Sequence, residues 1–410
     1  MIIGIPNMQK RLLIVSTAFP RWKDDFRGVF VWNLAQALSQ EGFICKVVVP
    51  SSAGSLGFEK IESIEIHRMH YLPNQSMETI DSDGGGLPAF WKKETWKRIL
   101  LLPYFSSLIA GCFAHTKTAD VLHAHFTLSA MAIWLTRWFH RKPYIVTVHG
   151  SDILIAGKLP IIRWLTKKSL QQAAKIIAVS EFLADSTLEI IGDNSKVIVI
   201  ANGFDEKTFQ QQKFLTLNER GDYILFVGSL IPRKGVNVLI EAFSLISHLL
   251  PNHRLKIIGD GHEKETLQQL AHRLGVTESI DWLGNLPPAD VAEYMRKAKL
   301  FVLPSLQEAF GIVLVEALAV GTPCVASNVG GISSIISDDT GVLVQAGNIP
   351  QLSQAILTFL KNENLLEEKI NNAQQYAQST IKTWRDVAFD TVEIINSVLT
   401  SENKGIVVGQ

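Results

Sequence analysis

The stretch Glu308-Ala-Phe-Gly-Ile-Val-Leu-Val-Glu316 decides the fold of this chain. An apolar run ends before it at Val302-Leu303, and Pro304-Ser305 then interrupts the regular pattern. The sequence therefore predicts a buried strand, then a loop that carries Glu308, and then a helix that opens near Gly311.

The start of this predicted helix is suited to bind an anion. The first N–H groups of a helix, here those of Gly311, Ile312 and Val313, have no intrahelical acceptor, and the helix dipole adds to their attraction for phosphate. Glu316 follows about one turn inside the helix. A diphosphate bound at this point would have one carboxylate on either side, which suits a sugar nucleotide with hydroxyls at both ends.

Two further blocks containing glycine flank this stretch. Gly228-Ser-Leu-Ile-Pro-Arg-Lys-Gly235 follows a predicted strand, and Pro323-Cys-Val-Ala-Ser-Asn-Val-Gly-Gly331 comes after the predicted helix. In order and spacing, the three blocks resemble the retaining family 4 glycosyltransferases (glycosyl transferases group 1), whose signature is E-x-F-G-x-x-x-x-E. The resemblance covers most of the chain. It implies the α/β GT-B fold, in which two Rossmann-like domains face each other across a cleft.

The resemblance implies a donor-binding role for residues of the second half. Arg233 and Lys234 would hold the donor diphosphate and stabilise it as leaving group, and two cations before a helix start are favourable only beside such an anion. Glu308 would contact hydroxyls of the transferred sugar, and Glu316 those of the ribose. Arg233, Lys234 and Glu308, together with His149 of the first half, form the predicted catalytic set. The other donor-binding residues that the resemblance implies are Gly28, Gly228, Ser229, Leu286, Phe310, Gly311, Ile312 and Val313.

The chain departs from the family pattern at two places. Ser229 stands where many relatives have Arg, so Arg233 would have to stabilise the leaving group instead. Ser333-Ser334 stands where relatives often have Pro-Glu, so the contact made by that glutamate is missing from the pattern.

In the first half, a glycine and a histidine lie where predicted strands end. Gly28 begins a predicted helix after the first strand, and His149 follows a later strand. The carboxyl ends of parallel strands border the crevice where open α/β sheets bind ligands. The resemblance implies that His149 lies by the transferred sugar and supports charge at the reacting carbon. His125, Ser180 and Asn202 are expected on the acceptor side.

Short apolar runs alternate with amphipathic helical stretches along the chain, which predicts parallel sheets flanked by helices. Two such series indicate two domains. Residues 1–201 are expected to form an acceptor-binding Rossmann-like domain, and residues 221–383 a nucleotide-sugar-binding one, joined by a polar linker over residues 202–220. A helix over residues 384–400 is expected to return to the N-terminal domain, as the last helix does in the resembled family. The residues after Ser401 are expected to form a frayed tail.

Two patterns leave a metal site open as an alternative. His123 and His125 are two residues apart on a predicted strand and so share a face, but the sequence offers no third ligand. Asp81-Ser-Asp83 matches the metal-binding D-x-D of a different glycosyltransferase fold, but it lies in a glycine loop with no strand before it. We expect Arg233, Lys234 and a helix terminus to neutralise the donor diphosphate, without a metal and without a cofactor.

Composition indicates a cytoplasmic protein. The three cysteines, Cys45, Cys112 and Cys324, lie in apolar surroundings without the spacing of a disulfide framework or a zinc site. Residues 1–10 lack the basic region that opens a signal peptide. We expect no uncharged run near the ~20 residues that are needed to cross a bilayer.

Charge is unevenly distributed although the net charge is zero. Residues 1–200 carry 22 Lys+Arg and 16 Asp+Glu, whereas the remainder carries 17 and 23. The basic surplus lies beside tryptophans in three stretches, residues 90–98, 137–142 and 163–168. Trp with Lys or Arg suits an anionic membrane interface, and solvated helix faces with partly buried Trp are the alternative. The membrane interpretation predicts a peripheral protein on the inner face of the cell membrane.

Together these patterns predict a retaining, metal-independent hexosyltransferase, which moves a sugar from a nucleoside diphosphate sugar to a hydroxyl of a glycolipid or growing polysaccharide. No nucleic acid partner is expected. By resemblance, the acceptor attacks on the face that the leaving group departs from, and the leaving diphosphate oxygen takes its proton. A GT-B sugar-nucleotide epimerase and a non-catalytic nucleotide-sugar-binding protein remain alternatives. An NAD dehydrogenase is disfavoured, because no G-x-G-x-x-G follows the first strand.

Overall fold

The structure is a computed structural model that describes residues 9–22, 25, 27–80, 96–150, 152–153, 160–210 and 213–407. The chain divides into two compact units. The first comprises Met1–Ala201 together with Trp384–Gln410, and the second comprises Asn202–Thr383.

The first unit is built on an eight-stranded sheet. Its strands are β1 (Arg11–Ser16), β2 (Ile44–Pro50), β3 (Phe58–Ile61), β4 (Ile64–Met69), β5 (Val121–His125), β6 (Tyr144–Val148), β7 (Lys175–Ala178) and β8 (Val197–Val199). They lie in the order β3-β4-β2-β1-β5-β6-β7-β8, and all pairs are parallel except β3 with β4. The central strands are continuous apolar runs because helices cover both faces of a parallel sheet; β1, for example, buries every residue after Arg11.

Within the described residues, five α-helices connect these strands: α1 (Val29–Gln40), α2 (Leu101–His115), α3 (Thr127–His140), α4 (Pro160–Gln171) and α5 (Glu181–Ile191). Apolar residues at helical spacing decide which side of each is buried. In α1, Val31, Leu34, Ala35 and Leu38 form the buried stripe.

The second unit contains six parallel strands, β9 (Gly221–Val227), β10 (Arg254–Ile258), β11 (Ile280–Gly284), β12 (Ala298–Leu303), β13 (Cys324–Ser327) and β14 (Gly341–Val344). Their order is β11-β10-β9-β12-β13-β14. Its helices are α6 (Glu206–Phe209), α7 (Val236–Ile246), α8 (Lys264–Arg273), α9 (Pro288–Lys297), α10 (Ile312–Ala319), α11 (Ile349–Lys361) and α12 (Glu363–Ser379). Residues 202–220, for which the sequence predicts a linker, group with this unit.

Each sheet reverses its strand order once, between β1 and β5 in the first unit and between β9 and β12 in the second. Such a switch point leaves a crevice at the carboxyl ends of the two strands, where doubly wound proteins bind ligands. The prediction of two Rossmann-like domains is confirmed.

The last helix, α13 (Trp384–Val407), belongs to the first unit, as the sequence predicts. It packs on α1, and the Arg385 Nε lies 3.7 Å from the Glu41 Oε1 at one end of this contact. The predicted frayed tail after Ser401 is wrong, because the helix continues to Val407. No proline interrupts the sequence there.

Two further expectations need correction. Sequence reasoning missed β3, a short edge strand that turns into β4 at Glu62, which has a positive φ of 53°. The expectation that no uncharged run approaches bilayer length is wrong, because Arg98–Thr118 is long and apolar enough to cross a membrane by length and composition. Tyr104 and Leu108, on one side of this segment, are fully buried in the first unit. That side is therefore part of the core.

Candidate active site

The switch point of the second sheet joins two oppositely charged side chains. Lys234 ends a 3-10 turn after β9, and Glu308 lies in the loop after β12. The Lys234 Nζ lies 2.5 Å from Glu308 Oε2, and both side chains are nearly buried. Ser305 donates a hydrogen bond of 3.3 Å to the same carboxylate oxygen.

The two loops are also tied together through their backbones. The N–H groups of Leu306 and Gln307 donate to the carbonyl of Arg233, at 2.8 and 3.2 Å. Gly235 has a φ of 65°, and a Cβ there would lie 2.1 Å from the carbonyl oxygen of Pro304. Glycine is therefore required for this close approach, which fixes Lys234 relative to Glu308.

Glu308 is held as a carboxylate. Burial alone would raise the pKa of Glu308, but the nearby charges of Lys234 and Arg233 outweigh burial and lower it below its usual value. Arg233 itself is exposed at the rim of the pair.

Helix α10 begins where the sequence predicts. Gly311 is its N-cap, with a φ of 97°, and a Cβ there would contact the Glu308 side chain at 3.6 Å. Phe310 is buried and anchors the loop. Ile312 and Val313, in the first turn, are partly exposed, and their N–H groups have no intrahelical acceptor. The N-terminus of α10 thus lies next to the Lys234–Glu308 pair.

Glu316 lies one turn further along α10. Burial, together with the charge of Asp205 at the start of α6, raises the pKa of Glu316 to about 8. It therefore carries a proton at neutral pH and can both donate and accept hydrogen bonds. No sequence pattern indicates this role for Asp205, because 111 residues separate it from Glu316.

The other predicted donor residues of the second unit follow strands at the same edge of this sheet. The Gly228 N–H donates to Ile258 at 3.0 Å, and a Cβ on Gly259 would lie 1.9 Å from the Gly228 carbonyl oxygen. Ser229 follows in the same turn. Leu286 is partly exposed after β11, and β10 separates that strand from β9.

The first unit carries a cluster of histidines at its own switch point. His125 ends β5, and His149 directly follows β6. His125 Nδ1 lies 3.0 Å from His149 Nε2, so one ring donates a hydrogen bond to the other, and the two rings stack with a 17° tilt. His123 is hydrogen-bonded to Thr147 at 2.7 Å. His125 is only 1% exposed.

All three rings are neutral at physiological pH. Burial lowers the pKa of His123 and of His149 to about 3, and it lowers the pKa of His125 well below its ordinary value. His149 is therefore a hydrogen-bonding group without fixed charge.

Residues that sequence reasoning missed hold His149 in place. Phe30 and Phe126 pack on its ring with centroid distances of 4.5 and 4.7 Å. Phe126 has a φ of 71°, a strained conformation for a residue with a Cβ. The two carboxylate oxygens of Asp152 accept the N–H groups of Gly150 and Thr127, at 2.8 and 3.0 Å. The one sequence signal for a role of Asp152 is its position three residues after His149.

Gly28 and Ser180 share the carboxyl edge of the first sheet with His149. Gly28 is the N-cap of α1, and a Cβ there would lie 2.5 Å from the backbone of Ala18. Ser180 is the N-cap of α5, where its hydroxyl accepts the N–H of Leu183. Asn202 instead opens the second unit. Acceptor contacts by His125, Ser180 and Asn202 stay predictions.

Neither metal alternative gains support from the described residues. His123 and His125 share a face, with ring centroids 4.3 Å apart. Within the described ranges, no three His, Cys, Asp or Glu side chains are grouped as metal ligands. Asp81 and Asp83 lie outside the described residues.

Comparison with known proteins identifies the family. The family model for Glycosyltransferase Family 4 matches residues 28–208, and the model for Glycosyl transferases group 1 matches residues 207–376. An uncharacterized glycosyltransferase of Methanocaldococcus jannaschii is 31% identical over 263 residues, which cover 63% of this chain and 70% of that protein. The chain belongs to the family 4 glycosyltransferases.

A second relative agrees with this assignment, and a solved structure shows the fold. Phosphatidyl-myo-inositol mannosyltransferase of Mycobacterium leprae is 30% identical over 290 residues, 70% of this chain and 75% of that protein. The structure of sucrose-phosphate synthase from Thermosynechococcus elongatus superposes with a TM-score of 0.79 at 19% identity, covering 96% of this chain and 100% of that one. This family 4 glycosyltransferase has the GT-B fold.

Proposed function

We propose that this glycosyltransferase is a retaining, metal-independent hexosyltransferase. It would transfer a sugar from a nucleoside diphosphate sugar to a hydroxyl of a glycolipid or growing polysaccharide. The observation that carries the proposal is the buried Lys234–Glu308 pair beside the N-terminus of α10, at the switch point of the second sheet.

The geometry of the second unit supports a donor site with three parts. Lys234, Arg233 and the N-terminus of α10 all lie near Glu308, and together they suit a diphosphate. Glu308, in the loop before α10, is an ionised acceptor for sugar hydroxyls. Glu316, one turn inside α10, is a protonated carboxyl that suits ribose hydroxyls. Donor binding would divide Lys234 between Glu308 and the diphosphate.

The proposed reaction needs no nucleophile from the protein. The bond between the anomeric carbon and the diphosphate oxygen breaks, and a bond to the acceptor oxygen forms on the same face. The acceptor proton passes to the leaving diphosphate oxygen. Asp152, the carboxylate nearest to His149 in sequence, has both oxygens engaged by backbone N–H groups, which argues against its acting as a nucleophile.

A neutral His149 fits this chemistry. Positive charge grows on the anomeric carbon as the leaving group departs. A charged imidazolium would oppose that growth, whereas a neutral ring can orient the sugar by a hydrogen bond. His125 would fix which nitrogen of His149 carries the proton through their 3.0 Å hydrogen bond.

The same arrangement supports the proposal of metal independence. Two cations and a helix terminus supply the positive charge that a divalent ion would otherwise bring to the diphosphate. Transfer would then need neither a metal nor a cofactor.

The class of acceptor is proposed from the name of a relative. The Mycobacterium leprae relative is named as a phosphatidyl-myo-inositol mannosyltransferase, so its acceptor is a lipid. The epimerase alternative is not favoured, because the matching families and named relatives are glycosyltransferases.

A calorimetric screen of UDP-, GDP- and ADP-sugars, with EDTA present, tests the proposal. We expect saturable binding of one nucleotide sugar, followed by transfer to an acceptor mixture with the anomeric configuration kept, as read by NMR. Binding that requires added manganese, or a product with inverted configuration, would contradict the corresponding part of the proposal.

A further inference from the structure

Three helices of the first unit lie side by side on one face of its sheet. Connections between parallel strands are right-handed. Helices α2, α3 and α4 each lead to a strand nearer the β8 edge of the sheet, whereas α1 leads toward the β3 edge. The three helices therefore cover the face opposite α1. Aromatic contacts join these helices. The ring centroids of Phe113 in α2 and Trp138 in α3 are 5.9 Å apart, and those of Trp134 in α3 and Trp164 in α4 are 6.3 Å apart.

The outer surface of these helices is apolar. Leu102 is 71% exposed, Trp138 is 72% exposed and Trp164 is 51% exposed. The exposed stripe of α2 continues through Ser106, Ala110 and Ala114 without a charged side chain. We call this surface the apolar face. It consists of Ile99, Leu102, Leu135, Trp138, Ile161 and Trp164.

The charged residues of the three helical segments all have one sign. Residues 98–118, 127–142 and 160–172 contain no Asp or Glu. Their basic residues are Arg98, Lys117, Arg137, Arg141, Lys142, Arg163, Lys167 and Lys168. The next helix of the unit, α5, differs, because it carries Glu181, Asp185 and Glu189.

Two of the three Trp-containing basic stretches, residues 137–142 and 163–168, therefore lie on adjacent helices of one face. Residues 90–95 of the remaining stretch lie outside the described residues.

We propose that the apolar face docks this glycosyltransferase onto the surface of an anionic lipid bilayer. Exposed tryptophans and leucines suit the boundary between headgroups and acyl chains, and the basic residues of the three segments complement acidic headgroups. The helices lie in the plane of the interface and do not cross it, because the inner side of α2 is buried in the first unit.

Co-sedimentation of the full chain with vesicles tests the proposal. One vesicle contains phosphatidylcholine alone, and the other contains phosphatidylcholine with about a third phosphatidylglycerol. We expect binding to the anionic vesicle, weaker binding as salt rises from 50 to 500 mM, and little binding to the neutral one. Equal binding to both vesicles, or binding to neither, would overturn the proposal.

Charge variants locate the surface. Each cation near an anionic surface contributes roughly fivefold to partitioning, so Arg163→Gln/Lys167→Gln/Lys168→Gln should lower binding about a hundredfold at low salt. The matched control, Lys60→Gln/Lys207→Gln/Lys361→Gln, removes the same charge from exposed lysines elsewhere and should bind more tightly than that variant. Equal losses in both variants would mean that only net charge matters, which contradicts a defined face.

Aromatic variants test the apolar part. Trp138→Ala/Trp164→Ala should lower binding to anionic vesicles at least tenfold. Phe389→Ala, at a 58% exposed aromatic of α13, should leave binding unchanged. A lipid-free dimer that Trp138→Ala/Trp164→Ala abolishes, seen by analytical ultracentrifugation, would assign the face to a protein partner and overturn the proposal. Circular dichroism confirms folding of each variant.

Discussion

The two units are both parallel sheets with a switch point, yet they expose different surfaces. Among the described residues, all exposed tryptophans and phenylalanines lie in the first unit. The exposed large hydrophobic side chains of the second unit are all leucines. Its outer helices α8, α9 and α12 carry acids and bases together. A parallel sheet thus places few demands on the outer sides of its helices, and that freedom allows one unit to acquire a docking surface.

The switch points differ as well. The second unit joins a lysine and a glutamate at 2.5 Å, next to a helix terminus that attracts anions. The first unit joins histidines that burial keeps neutral. We infer that the second unit handles the charged part of the donor and the first unit handles an uncharged reacting sugar.

Removal of Lys234 should produce the largest loss. Lys234→Ala should lower kcat about a thousandfold, because charge on the leaving diphosphate grows in the transition state and one donor there contributes about 3–4 kcal/mol. Steady-state transfer assays measure the change. Lys297→Ala removes another lysine of the same unit that is paired with a glutamate and should keep normal turnover. Normal turnover of Lys234→Ala would end the assignment of charge handling to this switch point.

Glu316→Gln should stabilise the protein while weakening donor binding. The pKa of Glu316 is raised to about 8 in the folded state, whereas it is near 4.5 in the unfolded state. The protein is therefore most stable with respect to this group below pH 4.5, and the free energy of unfolding falls as pH rises from 4.5 toward 8. At pH 7 the group therefore opposes folding by about 3 kcal/mol, and an uncharged amide avoids this effect.

Urea unfolding at pH 7 and at pH 4.5 distinguishes this mechanism from better packing. Glu316→Gln should be more stable than wild type at pH 7 only. Glu367→Gln, at an exposed position of α12, serves as the control. A gain of equal size at both pH values would refute the role of ionisation.

Glu308→Gln should separate binding from turnover. The amide can still hydrogen-bond to sugar hydroxyls, but more weakly than a carboxylate does. Lys234 loses its anionic partner and becomes available to the diphosphate. We expect kcat to fall about a hundredfold, or about 2.7 kcal/mol, while affinity for the free nucleoside diphosphate is unchanged or higher. Glu293→Gln is the control, because it also removes an ion-paired glutamate. Calorimetry that shows weaker nucleoside diphosphate binding would contradict this division of roles.

The first unit should lose stability in acid. His123 and His149 have a pKa of about 3 when folded and near 6.5 when unfolded, so the unfolded state binds more protons between these values. Stability then falls as pH drops through this window, by about 2 kcal/mol for each histidine at pH 5. NMR titration of the ring protons in the folded protein checks this: these two histidines should not titrate above pH 5. Titration near pH 6.5 would mean that they are solvated.

The sequence predicted what depends on local pattern. The apolar runs located most of the strands, and Gly311 correctly marked the start of α10 because a left-handed N-cap favours glycine. The resemblance supplied Lys234, Glu308 and His149 as candidates. None of these required knowledge of distant contacts.

The missed features depend on tertiary contact. The ion pair between Lys234 and Glu308 spans 74 residues, and the packing of Phe30 on His149 spans more than a hundred. The edge strand β3 has too few apolar residues for a periodic signal, since one of its sides faces solvent. Burial of one side of α2 also depends on tertiary contact, whereas the uncharged run at residues 99–116 can be read directly from the sequence.

Binding of the nucleotide sugar to three proteins tests the central claim most directly. Calorimetry with EDTA present would compare wild type, Lys234→Ala and Trp138→Ala/Trp164→Ala. The charged groups of the second unit should dominate donor affinity, so Lys234→Ala should bind at least a hundredfold more weakly and the tryptophan variant should bind as wild type. Unchanged binding by Lys234→Ala, or a loss confined to the tryptophan variant, would contradict the division of roles between the two units.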